Sequence, residues 1–260
     1  MKRSAPIGIF DSGMGGLSVW LRVRQLMPNE SIVYLADGKN CPYGDRTPDE
    51  IASLTKRAVE ELLARGVKIV VVACNTATAM AIDMLRESFD VEFVGMEPAV
   101  KPAALSSQSG VIGIVATHAA LSGELFRATS AKYADRVKIL SAVGEGFVDI
   151  VEQGAEHTPE ARKVVAEVIE PMLASGADRI VLGCTHYPFL MEAIESVVGE
   201  RQVEIIDPAP AVARRVEWLL ERDGLRAEEQ HRASYEFLSF ADEEYRQKVE
   251  QRAKCLVGEK

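Results

Sequence analysis

The sequence predicts an α/β protein in which a parallel-sheet domain has been built twice. Short β-branched runs alternate with amphipathic helical stretches, the pattern of parallel strands joined by helices. One phrase, a Thr-Pro helix start, a Gly stop and an apolar run ending in Cys, occurs in both halves of the chain. The opening Ile7-Gly8-Ile9 returns as Ile112-Gly113-Ile114, 105 residues later. Such an offset is too long for a solenoid repeat and marks duplication of a whole domain.

In chain order, residues 7–10 (IGIF) read as a strand leading into Asp11-Ser12-Gly13-Met14-Gly15-Gly16 and a helix. Residues 31–36 (SIVYLA) read as a second strand. Thr47-Pro48-Asp49-Glu50 combines a Thr N-cap, Pro at the first helical position and Glu three after the cap, a capping-box start. The helix is expected to bury Ile51, Leu54, Ala58, Val59, Leu62 and Leu63 and to stop at Gly66, before the strand 67–73 runs into Cys74. Thr158-Pro159-Glu160 opens the equivalent helix, with Val164, Val165, Val168, Ile169, Met172 and Leu173 inward and a stop at Gly176. Strand 177–183 then leads into Cys184. The two cysteines are 110 residues apart, the two glycines 110 and the two threonines 111. Turn signals near Glu97-Pro98 and at Asp207-Pro208-Ala209-Pro210 mark crossings between halves. A helix from about 209 to 222, the strand YEFLSF and a last helix are expected to pack back on the first half. The domains are therefore 1–97 with 210–260, and 98–209.

With 260 residues, 47% hydrophobic and 27% charged, the chain can bury a sizeable core. It shows no apolar run of bilayer length and no secretory leader, so a cytoplasmic protein with no membrane partner is expected. Six residues precede the first strand, and control through a long N-terminal extension is not expected. A net charge of −9 without a basic stripe argues against nucleic-acid binding. An anionic ligand would need local donors to overcome that field. The four cysteines, Cys41, Cys74, Cys184 and Cys255, form no CxxC, which disfavours zinc and thioredoxin-type sites.

A cysteine at a strand end is ordinarily a small buried residue. Two at equivalent ends of a repeat ask for another reason, because Ala or Val would pack as well. Both are expected at the carboxyl edge of a sheet, where ligands bind in such folds. Asn75 and Thr76 follow the first; Thr185 and His186 follow the second. These supply amide, hydroxyl and imidazole groups beside helix N-terminal N–H groups, a cradle for a carboxylate, and a helix N-terminus favours thiolate. The Asp11–Gly16 turn fails both nucleotide patterns, having Ser18 at the third glycine position and no Gly-Lys-Ser/Thr. Asp11 is either a cap or a proton-handling carboxylate. Pro42-Tyr43-Gly44 alone reads as a structural turn. Cys41 and Cys255 lack repeat mates, and His118, His157 and His231 lack metal-ligand spacing.

Asp11-Ser12-Gly13-x-Gly15-Gly16, Pro42-Tyr43-Gly44, Cys74-Asn75-Thr76 and Cys184-Thr185-His186-Tyr187-Pro188 together resemble the bacterial glutamate racemases, in the family's order and over nearly the whole chain. The resemblance implies two pseudosymmetric, flavodoxin-like α/β domains with a cofactor-independent active site between them. It implies L- and D-glutamate as substrate, with product going to peptidoglycan synthesis, and it leaves a homodimer open. By the same resemblance Cys74 and Cys184 are the acid/base pair, Asp11 assists Cys74, and His186 with Glu152 assists Cys184. Ser12, Tyr43, Gly44, Asn75, Thr76, Thr117, Glu152, Thr185 and His186, with Asp11, contact substrate or assist the thiols. Two departures stand out: Ala120 where the family commonly has a second Thr, and Val143-Gly144 where it frequently has Cys-Pro.

Inverting an α-carbon without a cofactor needs a base on one face and an acid on the other. Family analogy assigns Cys74 to the D-enantiomer's α-proton and Cys184 to the L-enantiomer's. No metal and no cofactor is expected. The rivals are a racemase of aspartate or a related acid, a Cys184–His186 hydrolase and a non-catalytic binding protein. For the hydrolase, a Cys-x-His spacing looks poor for a directed pair and leaves Cys74 without a role.

Overall fold

The computed structural model describes residues 2–259 and divides into two compact units, Met1–Met96 with Ala209–Lys260, and Glu97–Pro208. The first contains β1 (Ile7–Asp11), α1 (Leu17–Leu26), β2 (Ile32–Ala36), α2 (Pro48–Ala64), β3 (Ile69–Val72), α3 (Asn75–Ser88) and β4 (Phe93–Gly95). The second contains α4 (Val100–Ser106), β5 (Val111–Ala116), α5 (His118–Ser122), α6 (Glu124–Ala131), β6 (Lys138–Val143), α7 (Phe147–Gln153), α8 (Pro159–Ala174), β7 (Arg179–Gly183), α9 (Met191–Val198) and β8 (Glu204–Ile206). The chain then returns to the first unit with α10 (Ala209–Arg222), β9 (Tyr235–Ser239) and α11 (Glu243–Leu256).

All pairings are parallel. The first sheet runs β4-β3-β1-β2-β9 and the second β6-β5-β7-β8, so strands one to four of each half occupy the same order. In each, the chain moves one way from the first strand to the second and then crosses to the other side for the third. The carboxyl ends of β1 and β3, and of β5 and β7, are therefore topological switch points, the ligand-binding crevices of open parallel sheets.

The repeated glycine has a packing reason. A Cβ on Gly8 would lie 3.1 Å from Val67 Cγ1 and 3.3 Å from Leu62 Cδ1; one on Gly113 would lie 2.6 Å from both Met172 Sδ and Ile180 Cδ1. Leu62 and Met172 hold equivalent places on α2 and α8, and each helix sits on its sheet where the glycine admits it. Both helices start as predicted. Thr47 and Glu50 complete a reciprocal capping box, and the Thr158 hydroxyl accepts from Ala161 N at 3.2 Å. Gly66 and Gly176, at φ +71° and +86°, follow the helix ends in the left-handed region.

The inward stripes are narrower than the sequence predicts. Leu54, Leu63, Val164 and Val168 are only half-buried, and Thr55 is buried on α2 instead. Thr55 satisfies its hydroxyl internally, donating to Ile51 O at 2.7 Å, so a polar residue can face the core one position beyond Leu54. Among the described residues no helix is long and apolar enough to cross a membrane.

Candidate functional site: one thiol on each sheet edge

In the first unit β3 ends at Val72, and Cys74 is the N-cap of α3. Its carbonyl accepts from Thr78 N at 2.9 Å and its sulfur accepts from Ala77 N at 3.4 Å. An N–H aimed at sulfur at a helix N-terminus favours the thiolate. Cys74 Sγ also donates to Ser12 Oγ at 3.6 Å, so the turn after β1 reaches the thiol. Asp11, fully buried, closes that turn by accepting from Gly13 N at 2.9 Å through Oδ1. It is not a helix cap, since the N-cap of α1 is Gly16 and no side chain caps that helix.

Tyr43 and Asp37 are buried together. The phenol donates to Asp37 Oδ2 at 2.7 Å, and Asn40 Nδ2 donates to both carboxylate oxygens, at 2.9 and 3.0 Å. Burial, and then the charge of Asp37, push the Tyr43 phenol well above its ordinary range, so it stays protonated. Asn75 is buried with its Oδ1 lacking any hydrogen-bond partner among the described residues, and Thr76 is buried beside it. A buried polar atom without a partner is uncommon and asks for a reason.

The second unit differs in a way the repeat does not predict. After Cys184 there is no α-helix but a 3₁₀ turn, Tyr187–Leu190, before α9. The position equivalent to Thr78 is Pro188, which has no N–H to close an α-turn on the Cys184 carbonyl. Tyr187 N closes a tighter one at 3.2 Å. Thr185 is buried here, and so is His186. The tight turn brings His186 Nδ1 to 3.7 Å from Cys184 Sγ, while Nε2 sits 2.7 Å from Glu152 Oε1 on α7. The expectation that a Cys-x-His spacing directs the pair poorly is thereby corrected: the 3₁₀ path turns the imidazole back onto the sulfur. Tyr187 packs edge-on against Phe147 with centroids 5.0 Å apart. Burial, then the neighbouring Cys184, hold its phenol above the ordinary range.

Thr117 caps α5, its hydroxyl accepting from Ala120 N at 3.2 Å, so Ala120 meets Thr117 through its backbone. Gly44 follows Tyr43 in the turn before α2, after a cis Cys41–Pro42 peptide. Within the first unit the structure thus gathers Asp11, Ser12 and Cys74, and within the second Glu152, Cys184 and His186. Asp37, Tyr34 and Tyr187 escaped the sequence reasoning as site residues; the aspartate four residues before Pro-Tyr-Gly's cysteine was the one visible signal for the Tyr43 pair.

Doubly wound parallel sheets, each carrying a thiol and its own hydrogen-bonding partners at the switch point, define a duplicated α/β protein equipped for acid/base chemistry. The chain belongs to the Asp/Glu/Hydantoin racemase family, whose profile matches residues 20–216. It is similar to the glutamate racemase of Herpetosiphon aurantiacus, 45% identical over 254 residues that cover 98% of each chain. Among solved structures it is similar to glutamate racemase isoform RacE1 of Bacillus anthracis (TM-score 0.87, 29% identity, 98% of this chain and 95% of that one). It is also similar to the Escherichia coli glutamate racemase in complex with L-glutamate and the activator UDP-MurNAc-ala (TM-score 0.84, 31% identity, 96% and 95%).

Proposed function

We propose that the chain interconverts L- and D-glutamate by a two-thiol acid/base mechanism. The observation that carries this is the placement of Cys74 and Cys184 at equivalent strand ends, each with its own partner: Ser12 for the first, His186 with Glu152 for the second. One thiolate removes the α-proton while the other thiol delivers a proton to the opposite face. An ordinary thiol, with a pKa of about 8.5, is a modest base for a weakly acidic Cα–H, so each needs a helper. Asp11 assists Cys74, and the His186–Glu152 pair assists Cys184. In a chain of net charge −9 the anionic substrate depends on local donors, and we assign that work to Thr76 and Thr185, each buried close after its cysteine. The unpartnered Asn75 oxygen is a natural acceptor for the substrate ammonium. Glutamate is preferred to aspartate because the relatives named above act on glutamate, and its D-enantiomer would go to peptidoglycan synthesis in the cytoplasm.

The test is deuterium wash-in at Cα in D₂O, run across both enantiomers of glutamate and aspartate, with chelator present and no pyridoxal phosphate. Exchange with both enantiomers of glutamate, faster than with aspartate, is the expected result. A hydrolase or a binding protein gives no exchange. The helpers should also differ by direction. Asp11→Asn should raise the primary isotope effect with α-deuterated D-glutamate more than with the L-enantiomer, and His186→Asn should do the reverse. The equilibrium constant between enantiomers is fixed, so kcat/KM falls equally in both directions and the asymmetry shows in kcat, KM and the isotope effects.

A further inference from the structure

Tyr34 lies in the middle of β2, fully buried, and its register mate on β1 is Ile9. Register mates in a parallel pair, and residues two apart on one strand, share a face, so Tyr34, Ile9 and Asp11 look out from the same side of the sheet. A phenylalanine would fill the same space without desolvating a hydroxyl, and a buried hydroxyl costs stability unless it is hydrogen-bonded. This one donates to the Gly13 carbonyl at 2.8 Å. Gly13 is the residue whose N–H holds the Asp11 carboxylate, and the neighbouring Ser12 meets the Cys74 sulfur. A second observation bears on the same triangle. A Cβ on Gly16 would fall 2.6 Å from Asp11 Cβ and 2.9 Å from the Tyr34 oxygen. Helix α1 therefore starts hard against Asp11 and Tyr34 together, with no slack for either to shift.

We propose that Tyr34 is a positioning residue for the first half-site: through the Gly13 carbonyl, its hydroxyl sets the Asp11–Gly16 turn so that Asp11 and Ser12 are aimed at Cys74. The proposal rests on the two-thiol reading and deepens it. Tyr34→Phe removes one oxygen and leaves the ring packed on Phe237, so the fold should survive, with a melting temperature lowered by a few degrees for the unpartnered Gly13 carbonyl. kcat should fall by about tenfold, short of the roughly 100-fold that a full ångström of misplacement costs. The discriminating readout is the pair of isotope effects with α-deuterated D- and L-glutamate, measured beside Asp11→Asn, Gly16→Ala and Cys74→Ala. Tyr34→Phe should skew them in the same sense as Asp11→Asn, and Gly16→Ala, which presses on the turn from the other side, should do likewise. Unchanged kinetics in Tyr34→Phe, or equal changes in both directions, overturns the positioning role while the two-thiol reading stands. A skew in Tyr34→Phe with none in Asp11→Asn overturns the route through Asp11. If Tyr34→Phe does not fold, the hydroxyl serves the fold and not the aim of the turn, and the positioning role is overturned. Near-normal turnover in Cys74→Ala would remove the underlying reading, and the proposal with it.

Discussion

Cys74→Ala and Cys184→Ala each lose racemisation in both directions, by on the order of 10²–10⁴-fold, the contribution of a placed proton-transfer group. Neither thiol substitutes for the other, because the reaction needs a base on one face and an acid on the other in the same turnover. A single-base enzyme that swings its group from side to side would survive one of the two changes. The fold should not suffer. Each cysteine is largely buried, 5% and 8% exposed, and removing one atom of methylene size costs about 1 kcal/mol. Steady-state rates from both enantiomers, with melting curves for each variant, separate chemistry from stability. Either variant keeping near-normal turnover with both enantiomers would falsify the two-thiol scheme. The measurement is sharper here than in a typical active site, because the two thiols keep different company. Cys74 is an N-cap with a helix N–H on its sulfur, and Cys184 lies in a 3₁₀ turn against an imidazole. Residual activities of the two variants should therefore differ.

Much of the architecture was legible because the chain states it twice. Thr47 with Thr158, Gly66 with Gly176 and Cys74 with Cys184 fall at nearly one offset, so each weak local signal was checked by its copy. The carboxyl-edge position of the thiols followed from strand-then-helix order alone. What differs between the copies was harder to read. Pro188 in place of Thr78 is one residue, yet it removes the donor that closes an α-turn and so swings His186 onto sulfur. Glu152 could be reached only through family resemblance, since nothing in its spacing, 34 residues from His186, ties it to the imidazole. Tyr34 was invisible for a related reason. A tyrosine in a β-branched run reads as core, and only the fold shows its hydroxyl meeting a carbonyl 21 residues away.

The most distant contacts were the least legible, and the largest loss of stability is expected at one of them. Lys68 and Glu30 form an ion pair at 2.5 Å with side chains 0% and 1% exposed. Lys68 Nζ also donates to the carbonyls of Arg3, at 2.7 Å, and Leu225, at 2.9 Å, while Glu30 Oε1 accepts from Ala227 N at 2.8 Å. Four stretches of the first unit meet there: the start of the chain, the turn before β2, the entry to β3 and the segment after α10. Burial lowers the Lys68 pKa and the Glu30 carboxylate works against that, so the ammonium depends on its partner. Lys68→Met strands a buried carboxylate and should cost about 3–5 kcal/mol. That is a large share of the 5–15 kcal/mol that ordinarily separates folded from unfolded chains. Glu30→Gln keeps a carbonyl oxygen for Ala227 N and should cost less. Adding Glu30→Leu to Lys68→Met removes the stranded charge and should recover part of the loss. Recovery stays incomplete, because the Arg3 and Leu225 carbonyls and the Ala227 N–H are left without partners. Urea denaturation of Lys68→Met, Glu30→Leu and the double variant closes the cycle. A loss below about 1 kcal/mol for Lys68→Met would mean that water reaches the pair and that the clamp does not hold these segments together.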